Sequence, residues 1–550
     1  MRNQTLLRIR ERDMMLMKPL VIRKMFSTVR IINHGNSSSH SSSSTAMIAF
    51  TENGHRKRNH RPRRLTLACL DGNLNTDSIS TVVTTSEGEG FIDSTEDKTV
   101  TTVVGRTSTK PKHFDGRRER LRRPLLTTEE GEVIKAHTKQ DRTRIQERTK
   151  GHLWLAPLTK GGNLPFRRLC AQFECKVLVS EMSYARFLNK GSPVEKAHLR
   201  RHETEKVFGA QIATNQIEEG LIAARMAYEF GADFVDLNCG CPTHEVTKRG
   251  LGANLLRKPQ KLFRLVEGLA SESLLPITVK IRLGIEDDKP ALKLAEEIEN
   301  AGASVLIVHG RTKDQRYTKA ANWDLIGEIK SRANIPIVGN GDILTWYEAR
   351  DKLELSNADG AMTGRGALIK PWIFQEFYEN KSIEFTAKER IEFVYFRLTE
   401  YMKDYFGADK IGKKRYDLFF VWHIGFFCRY RPLDENVYRE RAKLNPLLQT
   451  RLDIALENEG NIDDLDPLER LLRCTSENAH VEIAEILWAS ETSEEAIEKL
   501  TLVANSLKLR EFELEVSQSN SDRGGGGIDD RNNSNSRSSQ TRVENDDMRG

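Results

Sequence analysis

Between residues 152 and 377, short apolar runs rich in Val and Ile alternate with longer stretches of helical periodicity. The runs predict strands at 153–157, 177–181, 207–212, 234–238, 277–282, 305–309, 335–339 and 360–364. Between them, apolar stripes with charges on the opposite side predict helices at 165–173, 217–230, 259–271, 289–301, 324–331 and 345–353. Eight strands alternating with helices over about 225 residues predict an α/β fold of the (β/α)8 TIM-barrel type, whose usual size is about 250 residues. A doubly wound open sheet is the alternative.

From about Lys388 to Leu509 the Val/Ile runs give way to amphipathic helical patterns at 389–405, 413–429 and 479–508. A barrel over 150–378 followed by a helical domain over 386–510 is therefore expected. The flanks differ. Residues 1–149 carry a Ser-rich run at 37–44 and the basic cluster 56–64, and residues 517–550 contain four consecutive glycines at 524–527. Such compositions bury too little apolar area to offset ordering entropy, so a largely disordered extension and a disordered tail are expected.

The whole chain holds 85 Lys and Arg against 79 Asp and Glu, a net charge of +6, with 38% hydrophobic residues. No run approaches the roughly 18 apolar residues of a membrane-spanning helix, so no membrane association is expected. Seven scattered cysteines and no apolar leader argue for a reducing compartment, cytoplasmic or nuclear. The Arg-rich first 30 residues read equally as an organelle transit peptide or an RNA-holding arm, and the 56–64 cluster reads as a nuclear address.

In such a barrel the chemistry sits at the C-terminal ends of the strands. The polar residues expected there are Thr159, Gln211, Asn238, Cys241, Lys280, Arg282, His309, Arg311, Asn340, Asp342 and Arg365. The loops Gly339-Asn340-Gly341-Asp342 and Gly364-Arg365-Gly366-Ala367 follow strands seven and eight, the usual phosphate site. They lack the third glycine of a dinucleotide fingerprint, so a mononucleotide is expected, with Lys280 beneath it as a charge suited to an anionic reduced flavin. Cys239 and Cys241 are too few for structural zinc, and no metal site is expected. Cys239 continues its strand as a packed thiol. Cys241 lies beyond it, where a thiol with an ordinary pKa near 8.5 can serve as nucleophile or general acid.

In order along the chain, Ala156-Pro157-Leu158-Thr159, Gly209-Ala210-Gln211-Ile212, Leu237-Asn238-Cys239-Gly240-Cys241-Pro242, Val279-Lys280-Ile281-Arg282, Val308-His309-Gly310-Arg311-Thr312, Gly339-Asn340-Gly341-Asp342 and Thr363-Gly364-Arg365-Gly366-Ala367 resemble the tRNA-dihydrouridine synthases. These are flavin enzymes that reduce a uracil ring in tRNA with electrons from a nicotinamide. The chain looks nearest to the eukaryotic branch acting on uridine 47. The resemblance implies FMN, with NADPH or NADH as reductant. Pro157, Leu158 and Thr159 would line the isoalloxazine, Gln211 and Lys280 would bind its pyrimidine side, and His309 would stand beside it. Asn340, Gly341, Asp342, Gly364 and Arg365 would surround the ribityl phosphate. Cys241 would be the general acid and Asn238 would help hold the target base.

For RNA, the expected contacts are Arg282, Arg311, Lys413, Lys414, Arg415 and Arg429. The helical face that carries the last four mixes bases with aromatic residues and reads equally as a buried aromatic core with a charged rim. A monomer without zinc is expected, since residues 1–149 hold only Cys69, whereas animal and fungal members of that branch carry CCCH zinc fingers. The loop Pro242-Thr243-His244-Glu245-Val246 also departs from the branch's usual Pro-Ile-Asp. The alternatives are an ene-reductase or dihydroorotate-type barrel acting on a free small molecule, which the basic helical domain disfavours, and a non-catalytic tRNA-binding protein, which Cys241, Lys280 and His309 disfavour.

Overall fold

The structure, a computed structural model, describes residues 128–449 and 464–524. The eight expected strands form as β1 (Leu153–Leu155), β2 (Val177–Val179), β4 (Val207–Ala213), β5 (Phe234–Cys239), β6 (Ile277–Arg282), β7 (Val305–His309), β8 (Ile337–Asn340) and β9 (Gly360–Thr363). All pairings are parallel, and the ring closes because β1 pairs β9 while β2 pairs β4. That closure excludes the open sheet. The two-residue strand β3 (Ser183–Tyr184) and the short helices Ala185–Asn189 and Pro193–His198 were not expected; β3 continues beyond β2 along the end of β4.

Every second residue of each strand faces the barrel axis. At the N-terminal end these positions are filled by Trp154, Val177, Val207, Phe234, Val305, Val338 and Met362, which form one dry cluster with Ile145. Ile145 belongs to a helix, Thr128–Thr149, which falls inside the stretch expected to be unstructured. Its sequence has almost no apolar stripe. It is held by polar bonds instead: Arg142 donates to Ala270 O at 2.7 Å, Gln146 to Ser304 O at 3.0 Å, and Arg148 to Asp233 at 3.0 Å and to Lys206 O at 2.6 Å. Trp154 donates its indole N–H to Thr149 O at 3.1 Å. This helix closes the bottom of the barrel. The remainder of the expected N-terminal extension, and the tail beyond residue 524, lie outside the described residues.

After the barrel, a capping box at Thr386 and Glu389 starts a helical run through Ala387–Arg390, a π-helical turn Ile391–Phe396, and Arg397–Phe406. Lys410–Phe427 and Glu435–Leu444 follow. The single helix expected over 479–508 is instead three, Glu477–Ala489, Ser493–Ala504 and Leu507–Gly524. The first break has a clear cause: the Thr492 hydroxyl accepts from Glu495 N at 3.2 Å and starts a new helix there. Of the aromatic residues of Lys410–Phe427, Tyr416, Phe420, Phe426 and Phe427 are buried in a core continuous with the barrel's helices, while Phe419 and Trp422 are half-buried. Arg168 pairs with Asp404 at 2.6 Å across this contact.

His423 is fully buried at the same contact, stacked on Phe166 with ring centroids 4.7 Å apart. Neither of its ring nitrogens has a hydrogen-bond partner, and burial pushes its pKa down to about 3. The folded state therefore holds it neutral while the unfolded chain protonates near pH 6.5. Stability from this residue is full above that value and is lost as pH falls toward 3, by about 1.4 kcal/mol per pH unit. His423→Leu should match or exceed the wild type in denaturant unfolding at pH 7, with an advantage that widens below pH 6.5. Parallel pH profiles for the two proteins would contradict this.

Candidate active site

Toward the C-terminal ends of the strands the inward positions change from apolar to polar. The series run Phe234, Asp236, Asn238 on β5, Thr278, Lys280, Arg282 on β6, Val305, Ile307, His309 on β7, and Val338, Asn340 on β8. The parallel register sets Gln211 beside Asp236, Asn238 beside Lys280, and Arg282, His309 and Asn340 side by side. The strand-end residues expected from the sequence are thus brought to one mouth.

Asp236 was not anticipated, although its place two residues before Asn238 marks it as inward-facing. It is fully buried, accepts from Gln211 Nε2 and from Thr278 Oγ1 at 2.7 Å each, and burial raises its pKa. Gln211 Oε1 accepts from Asn238 Nδ2 at 2.8 Å, and Asn238 Oδ1 accepts the backbone N–H of Cys241 at 3.0 Å and of Gly240 at 3.3 Å. This chain of bonds fixes the amide orientations of Gln211 and Asn238 and holds the loop that carries Cys241. On the other side of that loop Gly252 has φ +58°, and a Cβ there would lie 2.7 Å from Cys241 O, so only glycine allows the close turn.

The two thiols differ as expected from their positions. Cys239 is fully buried, and burial raises its pKa well above the usual thiol range. Cys241 is half-buried, with Sγ 3.3 Å from Thr243 Oγ1.

Around the other half of the mouth, Lys280 donates to Asn340 Oδ1 at 2.8 Å, and Asn340 Nδ2 donates to Met362 O at 2.8 Å. Burial lowers the Lys280 pKa, and Asp236 works against that shift. Arg311 is fully buried and gives Nη2 to both Asp342 oxygens at 2.5 and 2.6 Å. Asp342 also accepts from Ala321 N at 2.7 Å and Gln449 Nε2 at 3.3 Å, and lies 3.7 Å from Arg365. Its carboxylate is therefore spent inside the protein. Gly341, with φ +128°, makes the turn into it.

His309 is buried among Arg282, Lys280, Arg311 and Arg365, and burial with these charges drives its pKa far below the ordinary histidine value. Arg311 Nη1 lies 3.1 Å from His309 Nε2. A guanidinium can only donate, so Nε2 is the acceptor and the neutral ring carries its proton on Nδ1. The Arg365 guanidinium lies 4.2 Å from the centre of the Tyr317 ring. Between β5 and β9 the mouth sets four cations, Lys280, Arg282, Arg311 and Arg365, against the two carboxylates of Asp236 and Asp342. This surplus of positive charge suits an anionic ligand.

Pro157 and Leu158 are half-buried at the mouth and Thr159 is exposed beyond them. Glu181, at the end of the β2 run, was not anticipated. It accepts from Lys160 N at 2.6 Å, and burial raises its pKa to about 7. Of the residues expected to meet RNA, Arg282 is buried and donates to Gly240 O and Thr312 O, and Arg311 is buried on Asp342. Lys413 is paired with Asp417 and Glu485. Lys414 and Arg415 are exposed, and Arg429 is half-buried with its guanidinium 4.9 Å from the Phe426 ring centre. Among the described residues no cluster of side chains could hold a metal ion, and no helix is long and apolar enough to cross a membrane.

Fold and mouth together define a (β/α)8 barrel with a thiol-bearing, cationic site for an anionic ligand. Residues 154–420 match the model of the dihydrouridine synthase (Dus) family. Proteins named tRNA-dihydrouridine(47) synthase resemble it: one from Coprinopsis cinerea is 39% identical over 312 residues, covering 54% of this chain and 46% of that protein. Those from Xenopus tropicalis and Homo sapiens, whose names add "-like", are 37% and 36% identical over 287 and 293 residues. These matches cover 52% of this chain and 45% and 44% of the relatives, so the chain spans about half the length of the relatives it matches.

Because Asp342 carries the charge of a buried guanidinium, Asp342→Ala should destabilise the protein by about 3–5 kcal/mol in denaturant unfolding, the cost of breaking a buried pair from one side. Unchanged stability would show that Arg311 finds another partner.

Proposed function

We propose that this protein reduces uridine to dihydrouridine in tRNA, with FMN as the bound flavin, NADPH or NADH as the electron source and uridine 47 as the target. The reading is carried by the Cys241 thiol, held half-buried at a cationic barrel mouth within the residues that match the dihydrouridine synthase family. The residues present fit a flavin. Pro157 and Leu158 offer apolar surface, Gln211 and Lys280 offer donors to a pyrimidine edge, and His309 offers its Nδ1–H. The turn at Gly341, Gly364 and Arg365 offers backbone and a guanidinium to a phosphate. When bound and reduced, a flavin supplies hydride to the uracil ring.

Cys241 then has a defined task. Reduction at C6 of uracil leaves negative charge on C5, conjugated to a carbonyl, and the Cys241 Sγ–H delivers its proton there. Asn238 acts through the loop, because its carbonyl fixes the Cys241 backbone and so the height of the thiol over the ring. Thr243 Oγ1, at 3.3 Å from Sγ, is placed to donate a hydrogen bond to the thiolate left behind, which then regains its proton from solvent. Extracting a base from tRNA costs a few kcal/mol, which the exposed Lys414 and Arg415 on the helical region, with Arg429, help to offset by holding phosphates.

Two outcomes follow. Cys241→Ala should keep its flavin and oxidise nicotinamide at a near-normal rate, yet form dihydrouridine about 10²- to 10⁴-fold more slowly, whereas Cys239→Ala should keep its activity. Near-normal tRNA reduction by Cys241→Ala would remove the thiol from the chemistry. Arg365→Ala should purify folded and depleted of flavin; full occupancy would reverse the phosphate assignment.

A further inference from the structure

A groove of about 1240 Å³ opens on the barrel surface beyond β3 and β4. It lies almost across the mouth from the helical region, which packs on the helix after β1 and the one after β9. Five exposed cations line it: Arg186, Arg249, Lys258, Lys261 and Arg264. Glu218 and Glu219 are its two carboxylates, which leaves a net charge of +3. Arg249 donates Nε to Glu245 O at 3.1 Å and has one carboxylate in range, that of Glu245 at 4.0 Å. Among the described residues the other four cations have no carboxylate within salt-bridge range. These cations converge on one concave surface whose lining holds only two carboxylates.

Two further features bear on what the groove takes. Arg249 lies over both the Tyr184 and Phe187 rings, at 5.5 and 5.4 Å, and the two rings meet edge to face at 65°, so an aromatic and guanidinium surface borders the cations. Tyr184 and Leu251 of the groove also pack in one small apolar cluster with Cys241. The groove therefore begins behind the loop that holds the thiol. Its volume exceeds the roughly 300–1,000 Å³ of a small-molecule pocket, and its cations are spread over the helix Ala185–Asn189, the turn at Arg249 and the start of the helix Pro259–Glu272 rather than focused on one point. Both facts favour a strand of repeating phosphates over one compact anion, and the ring surface favours a strand that also carries bases.

We infer that this groove grips the RNA backbone next to the target nucleotide, on the side of the mouth away from the helical region, with Tyr184, Phe187 and Arg249 as a platform for a neighbouring base. The inference rests on the proposed reaction with tRNA. A base drawn into the mouth at Cys241 pulls its strand across the rim, and a grip on both sides of the mouth holds the extracted base against restacking.

The test uses the full-length, flavin-loaded protein and its triple variant Lys258→Ala/Lys261→Ala/Arg264→Ala, in which all three changes are at exposed positions. Binding of unmodified tRNA is followed across a salt series, with KM measured for tRNA and for NADPH. The variant should keep wild-type flavin content and bind tRNA at least tenfold more weakly. Its salt dependence should be shallower by about 2, at roughly 0.7 per lost single-strand phosphate contact. Its KM for tRNA should rise. Wild-type affinity and salt slope in the variant would overturn the groove assignment while leaving the reaction standing, provided the wild type reduces tRNA. A raised KM for NADPH with tRNA binding unchanged would overturn it in favour of a dinucleotide. A wild-type protein that neither binds nor reduces tRNA would overturn the proposed function itself.

Discussion

Closure of the parallel barrel is the constraint on which the rest depends. Once β1 meets β9 and β2 meets β4, every second residue of each strand is committed to the interior. The N-terminal end of that interior is sealed by the Thr128–Thr149 helix, so its inward positions must be apolar. Polar inward residues are affordable only near the open end or where every polar atom is paired. Asp236 and Lys280 sit at the boundary between the two regimes; Asp236 is tied to residues of the two adjacent strands, and Lys280 reaches past β7 to Asn340 on β8. The register of the strands thus sets the inward part of the mouth, while Cys241, Arg311, Asp342 and Arg365 stand on the segments that follow them.

A second dependence is electrostatic. One buried carboxylate, Asp342, gathers Arg311, Arg365, the Ala321 amide and Gln449, and so joins segments following three successive strands to the chain beyond the barrel. Because Arg311 is held there, its remaining Nη1 faces His309 and sets the tautomer of that ring. The positive surplus that suits the mouth to an anion and the neutral histidine within it have a common origin.

Strands and barrel were legible because buried parallel strands read as Val/Ile runs and because polar residues stood at their ends in succession. The Thr128–Thr149 helix was not, since its attachment rests on Arg142, Gln146 and Arg148 bonding to distant carbonyls and a carboxylate, and such partners leave no periodic trace. The division of 479–508 into separate helices was hidden by an apolar stripe that continues past the breaks; the capping Thr492 was the available signal. In the site, position along a strand was readable but the partner was not. Asp342 stands in a glycine loop that reads as a ligand contact, yet its oxygens are spent on Arg311. Asp236 and Glu181 went unnoticed because a lone carboxylate acquires its meaning from neighbours brought by other strands.

The central claim is that electrons pass from a nicotinamide through a flavin held in this mouth to a uridine of tRNA. An anaerobic titration tests it most directly: the flavin-loaded protein is bleached with one equivalent of NADPH, and tRNA lacking dihydrouridine is then added. The account predicts that the oxidised flavin spectrum returns on addition of tRNA, with one dihydrouridine formed per flavin reoxidised. A flavin that stays reduced in the presence of that tRNA, and recovers only when oxygen is admitted, would contradict it.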